Sequence, residues 1–185
     1  MVDFKDKITF GEPVLDRFFN GYSPLETVLV KFANKIGFLT VSNLFTLITK
    51  AYVPNATERM LSKTEDIWIK DVLDEVYVYG EGGFTRVVKI VRRRIYEDVF
   101  SVKTTTKKTD VSKSHKFVVE EGLEQKLKSA FELKEGDKLR IYDKDQEVFE
   151  PVVHVKVIKP SFLHVYGILT ENFSAYVSGI LGKSY

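Results

Sequence analysis

Cysteine is absent from the 185 residues. That excludes a disulfide scaffold, a zinc site with thiolate ligands and a cysteine nucleophile. Histidine is scarce: His115, His154 and His164 are too scattered to suggest a metal cluster, and no metal is expected. Charge of one sign is not in excess, because 28 Lys and Arg face 26 Asp and Glu for a formal charge of +2. Any attraction to nucleic acid or a membrane must therefore be local. No run approaches the roughly 18 uninterrupted apolar residues of a membrane span, and MVDFKDKITF lacks the basic-then-apolar order of a secretory signal. A cytoplasmic, intracellular location is the expectation. Glycine forms no credible phosphate loop: Gly82-Gly83 reads as a hairpin turn, and Gly182-Lys183-Ser184 lacks the upstream glycine of a Walker motif. No cofactor is implied.

What is present is apolar material for one sizeable core, 44% of residues, 13% aromatic. Val, Ile, Tyr and Phe fall in short runs bounded by Gly, Pro or Asp, which predicts an all-β chain. Helical signals are few. VSNLFTLITKA, residues 41–51, is the clearest, with Ser42 as cap and Lys50 near its end. Two shorter helices are expected at 124–131 and 12–19, the latter with Pro13 in its first turn.

The most informative feature is an internal repeat. LDEVYVYGEGGFTRVVKIVRRRIYEDVFSVKTT, residues 73–105, lies beside GDKLRIYDKDQEVFEPVVHVKVIKPSFLHVYGILTE, residues 136–171, with small gaps. In each copy an Asp (Asp74, Asp137) precedes a strand ending in Tyr (Tyr79, Tyr142). A polar turn, a paired-valine strand (Val87-Val88, Val152-Val153) and a last strand follow. A period this long, occurring twice, fits a duplicated β module and not a solenoid.

A duplicated β module in this order of elements resembles the Hint (hedgehog/intein) fold, and the blocks resemble those of inteins. YSPLETVLV from Tyr22 is similar to the family's opening block, with Tyr22 at the nucleophile position. TKKTDVSKSHKFVV, residues 106–119, is similar to the Thr-x-x-His block, with Ser112 and His115 in the two key places. FELKEGDKLRIY resembles the Gly-Asp segment, and SGILGKSY the closing block, with Lys183, Ser184 and Tyr185 where the family has His, Asn and the downstream nucleophile. The resemblance implies a horseshoe of two pseudo-twofold β subdomains with a short helical insertion at about 41–61. It also implies a leader or host-like stub over 1–22, a Hint domain over 23–184 and a downstream junction residue at 185. A host in nucleotide or DNA metabolism is the family expectation. The chain leaves no room between its halves for a homing-endonuclease domain.

The implied chemistry needs a thiol or hydroxyl on a short stem at the first position. The Tyr22 phenol sits too far from the backbone to close the necessary five-membered ring. A one-residue slip offers Ser23, assisted by His115, with an ester and N-terminal cleavage as the result. At the other end, Ser184 has no carboxamide with which to form a succinimide, Lys183 replaces the helping histidine, and Asn172 stands near the place of another. Full splicing is not expected. The resemblance therefore implies a degenerate, monomeric intein-like domain whose partners are its flanking host segments.

Two alternatives stay open: partial self-processing at Ser23, and nucleic-acid binding by a basic surface of Arg92, Arg93, Arg94, Lys107 and Lys108, continued by Lys103, Lys113 and Lys116. The ordinary reading of such a run is a solvated face. Ser112 is also a candidate turn cap, Asp74 and Asp137 turn formers, His154 and His164 packing or surface residues, and Trp68 a buried anchor.

Overall fold

The structure, a computed structural model, describes residues 21–49, 53, 56–63 and 66–184. The helix expected at 12–19, the rest of the leader to residue 20, Lys50 and Tyr185 lie outside the described residues. Strands dominate: β1 Thr27–Phe32, β2 Lys35–Thr40, β3 Thr57–Ser62, β4 Ile67–Asp71, β5 Val76–Gly80, β6 Gly83–Arg94, β7 Val99–Thr104, β8 Lys108–Ser112, β9 Lys116–Glu121, β10 Glu124–Ser129, β11 Lys138–Asp143, β12 Gln146–Ile158, β13 His164–Thr170, β14 Ser174–Val177 and β15 Ile180–Lys183. They pair in the order β3-β4-β6-β5-β1-β14-β15-β9-β11-β12-β7-β8, an open path that curves into a horseshoe.

The repeat explains this path. Each copy begins with an antiparallel hairpin, β5 with β6 and β11 with β12. Its third strand then leaves its own copy: β7 pairs with β12 of the second, and β13 with β6 of the first. The two long strands, of 12 and 13 residues, bend between partners at the paired valines. In each, the second valine is the extra residue of a bulge, since Thr170 opposes Val87 while Leu169 opposes Lys89, and Thr104 opposes Val152 while Lys103 opposes His154. A bulge bends a strand and raises its local twist, which lets one strand serve two sheets. Val87 and Val152 are buried in the core at these corners, whereas Val153 is 43% exposed.

The helix α1, Val41–Leu47, buries Val41, Leu44 and Phe45. It differs in detail from expectation. Thr40 is the cap, accepting from the Asn43 amide at 3.2 Å, while Ser42 Oγ donates to the Pro24 carbonyl at 2.8 Å. The helix stops short of residue 51 where β-branched Ile48 and Thr49 begin, and buried Lys70 takes the Phe45 carbonyl at 2.8 Å. Beyond it the insertion is a strand, β3, paired along β4.

The helix expected at 124–131 is also a strand. EQKLKS has helix-forming residues, but Gly122 at φ +65° makes a tight turn that pairs it with β9 in full register. Only Ala130–Glu132 coil, as one 3-10 turn boxed by Ser129 and Glu132. Gly82 and Gly83, at φ +77° and +124°, form the expected hairpin turn, and Asp137 caps a turn by accepting from the Lys134 amide at 2.9 Å. Trp68 is half-buried, its Nε1 donating to Asp66 at 3.1 Å, because β4 buries its other face.

Repeat-related corners should respond alike. Val87→Ala and Val152→Ala are each expected to cost about 2 kcal/mol in urea unfolding, and Val153→Ala less than about 0.5 kcal/mol.

Candidate functional site

Gly21, Tyr22 and Ser23 form a short extended segment wedged between the two exchanged parts of the repeat. Tyr22 bridges to Tyr166 on β13 and to Val111 on β8. With Tyr166 it exchanges both main-chain hydrogen bonds, at 2.8 and 2.9 Å. On the other side the Ser112 amide donates to the Gly21 carbonyl at 2.8 Å and the Ser23 amide to the Asp110 carbonyl at 2.9 Å. The Gly21 amide completes the grip by donating to Ser112 Oγ at 3.0 Å. All three residues are buried.

His115 follows Ser112 on the tight turn into β9; its amide donates to the Ser112 carbonyl at 3.1 Å, and its carbonyl accepts from Ala130 at 2.8 Å. The imidazole is fully buried, edge-on to Tyr22 with ring centroids 4.4 Å apart and to Phe117 at 4.7 Å. Neither ring nitrogen has a hydrogen-bond partner among the described residues. Burial pushes its pKa down to about 3. Burial first, and then the charge of Glu26, hold the Tyr22 phenol above its usual range, so it stays protonated. Glu26 is itself raised, chiefly by burial and against hydrogen bonds from Ser178 and the Asp110 amide, the latter at 2.9 Å.

The last strand completes the site. A Cβ on Gly182 would lie 2.2 Å from the Tyr22 hydroxyl and 2.6 Å from His115 Nε2, so only glycine lets β15 close over both rings. Beyond it, Lys183 pairs with Glu81, which also pairs with Arg140; the Lys183 and Arg140 side chains are 11% and 12% exposed. The hydrogen bond from Lys183, and then that from Arg140, hold the Glu81 carboxyl below the usual range. The Ser184 amide donates to Phe173 O at 2.9 Å and its hydroxyl to Ile168 O at 2.6 Å. Asn172 closes a turn by accepting from the Ser174 hydroxyl and amide at 2.9 and 3.1 Å.

The sequence-derived residues thus separate into two sets. Ser112, His115 and Tyr22 meet; Ser23 lies one residue beyond the peptide that Ser112 grips, and Lys183 and Ser184 turn to partners outside the imidazole. Gly21 and Gly182 were missed, as was Tyr166. Glycines before Tyr22 and two residues before Ser184 are the signal that close packing leaves in a sequence.

Of the basic residues, Arg94, Lys103, Lys108 and Lys113 are exposed, and four have acidic neighbours. Arg92 lies 3.5 Å from Asp66 and packs 5.7 Å from the Trp68 ring centre; Arg93 pairs with Glu97; Lys107 and Lys108 lie 2.5 and 3.5 Å from Asp143 and Asp110. His164 Nε2 and Asp66 are 2.7 Å apart, and half-exposed His154 is 3.9 Å from Glu135. Among the described residues no group of His, Cys, Asp and Glu is placed to hold a metal ion, and no helix is long and apolar enough to cross a membrane.

The depressed imidazole has a consequence for stability. The unfolded chain binds a proton at His115 below about pH 6.5 while the folded chain does so only near 3, so stability falls as pH drops through that window. Urea unfolding at pH 6.5 and 4 is expected to show a loss on the order of 3 kcal/mol larger in the parent than in His115→Gln.

No protein-family model and no curated protein matches the sequence. Solved structures do. An intein from a hyperthermophile superposes with a TM-score of 0.75 at 15% identity, over 89% of this chain and 99% of that one. The transcription factor IIB Mvu mini-intein gives 0.69 at 17% identity, over 89% and 99%. A KlbA intein precursor from Methanococcus jannaschii gives 0.70 at 12% identity, over 89% and 91%. The chain has the Hint fold of inteins.

Proposed function

We propose that this chain is an intein-like Hint domain in which the splicing reaction is silent, and that it persists as a folded insertion between flanking segments of a host protein. The observation that carries this reading is the environment of the Gly21–Tyr22 peptide. Its carbonyl accepts from the Ser112 amide, a fixed donor of the kind that stabilises charge developing on a carbonyl under attack. An unpaired, buried imidazole lies beside it; a polar group left unpaired in a core costs about 1–3 kcal/mol, and a role in chemistry is one reason to keep it. The surroundings suit acyl transfer, and the attacking group does not. Tyr22 offers a protonated phenol packed under Gly182, several bonds from its own backbone.

The other end fits the same reading. Lys183 is tied to Glu81, and Ser184 to the Ile168 and Phe173 carbonyls, and neither side chain carries a carboxamide that could cyclise on the backbone to release a downstream segment. The Tyr22 hydroxyl packs against Gly182, so residues near both proposed junctions share one site, which supports the reading of an insertion. In this reading the domain starts at Tyr22 and residues up to Gly21 belong to the flank.

The test places reporter domains at both ends and follows intact mass over time, with and without hydroxylamine. Unchanged mass is expected. A fragment pair split at Gly21–Tyr22 or at Tyr22–Ser23 overturns the silent reading, and its loss in Ser23→Ala assigns the second cut to an ester at Ser23.

A second variant asks whether Tyr22 is the block. Tyr22→Cys supplies a thiol on a short stem, which attacks the Gly21 carbonyl, breaks the C–N bond, leaves the amine on residue 22 and forms a thioester. In folded Tyr22→Cys, hydroxylamine is expected to release the N-terminal reporter, and Tyr22→Cys/His115→Ala to do so at least about tenfold more slowly. A stable Tyr22→Cys chain would move the block elsewhere in the site.

A further inference from the structure

We infer that the domain accepts only glycine as the residue immediately before Tyr22, and that Val165 and Ser112 enforce this. The inference rests on the reading that residue 21 is the last of the upstream flank, and it adds what that flank must present. A Cβ built on Gly21 would stand 2.6 Å from Val165 Cγ2, 2.7 Å from Val165 Cβ and 3.2 Å from Ser112 Oγ. Carbon atoms make contact at about 3.5–4.0 Å, so the first two distances are overlaps. The requirement is one of space and not of backbone conformation, since Gly21 is not among the glycines with positive φ.

Neither wall can retreat cheaply. Val165 is 1% exposed, opposes Arg93 on β6 and precedes Tyr166, whose amide and carbonyl are both committed to Tyr22. Only the Cγ atoms of Val165 can rotate away; its Cβ is fixed by the strand. Ser112 is fully buried and holds Gly21 from both sides, its amide on the carbonyl and its hydroxyl under the amide. The seat therefore reads three things in the flanking peptide: one N–H, one C=O and the lack of a side chain. Gly37 is a useful contrast, because a Cβ there meets nothing within 4 Å. A host segment that ends in an extended stretch with a terminal glycine fits the seat, and one ending in any larger residue must pull its last peptide out of the Ser112 grip.

The test uses the full chain and amide hydrogen exchange at Ser112, whose N–H is protected by the Gly21 carbonyl. Gly21→Ala is expected to speed Ser112 exchange at least about tenfold over the parent, and Gly37→Ala to leave it unchanged. In a Val165→Gly background, which removes both overlapping atoms, the further effect of Gly21→Ala should shrink below about threefold. Should Val165→Gly not fold, Val165→Ala removes Cγ2 alone and should give partial relief. Parent-like exchange in Gly21→Ala overturns the inference, and so does an equal rise with and without Val165. This outcome is separate from that of the mass experiment: cleavage of the parent chain would sink the silent reading while leaving the glycine seat intact.

Discussion

The reciprocal exchange of third strands is the constraint on which the rest of the fold depends. β7 completes the sheet of the second repeat and β13 that of the first, so neither copy closes its own hydrogen-bond ladder. An unpaired ladder edge is costly when buried and adhesive when exposed, and each copy therefore needs the other. The contacts that result link residues far apart in sequence, which makes folding slow and cooperative for a chain of this size. The same exchange sets β13 and β8 on either side of a gap one strand wide. Tyr22 and its neighbours fill that gap, and the site is a by-product of the architecture before it is a place of chemistry.

Inside the gap, packing and reactivity make opposite demands. An imidazole with no hydrogen-bond partner stays neutral because burial disfavours its charged form, and it is surrounded by the rings of Tyr22 and Phe117 and the backbone of Gly182. Main-chain hydrogen bonds take up the Tyr22 amide and carbonyl, and the Ser112 hydroxyl takes the Gly21 amide, which together order the segment. At the other end the Glu81–Lys183–Arg140 network is only partly buried, so its charges keep enough solvent to avoid the full desolvation cost of an interior ion pair while fixing β15 to the β5–β6 turn.

Much of this was legible in the sequence, for physical reasons that differ by element. The duplicated strands showed because alternation and the Tyr and Val-Val landmarks are local, and the burial pattern of VYVYG follows the alternation residue by residue. Ser112, His115 and Tyr22 were marked by resemblance to family blocks, and their meeting is visible only once β13 and β8 stand on either side of the Tyr22 segment. The helix at 124–131 was misread because Glu, Gln, Lys and Leu favour helices in isolation, whereas the Gly122 turn and β9 decide the outcome through pairing. The strand exchange itself left no local trace, since either partner suits an apolar third strand. Gly21 and Gly182 were invisible as functional residues because their role is to be small next to side chains that arrive from β13, β8, the turn into β9 and the Tyr22 segment.

Position 22 sets the packing of the fold against the room that a short nucleophile would need. A Cys or Ser there would leave the space now taken by a phenol ring that is 4% exposed and edge-on to His115. Burying an aromatic side chain contributes about 2–3 kcal/mol, and edge-to-face contact adds of the order of 1 kcal/mol. A total stability of about 5–15 kcal/mol is usual for a domain, so that contribution is a large share. On the reading proposed here, the side chain that cannot attack the Gly21 carbonyl is also the one that fills the gap between the exchanged strands, and restoring a short nucleophile would reopen a cavity at the centre of the horseshoe. Reactivity at this position is therefore opposed by the stability of the fold that would carry it out.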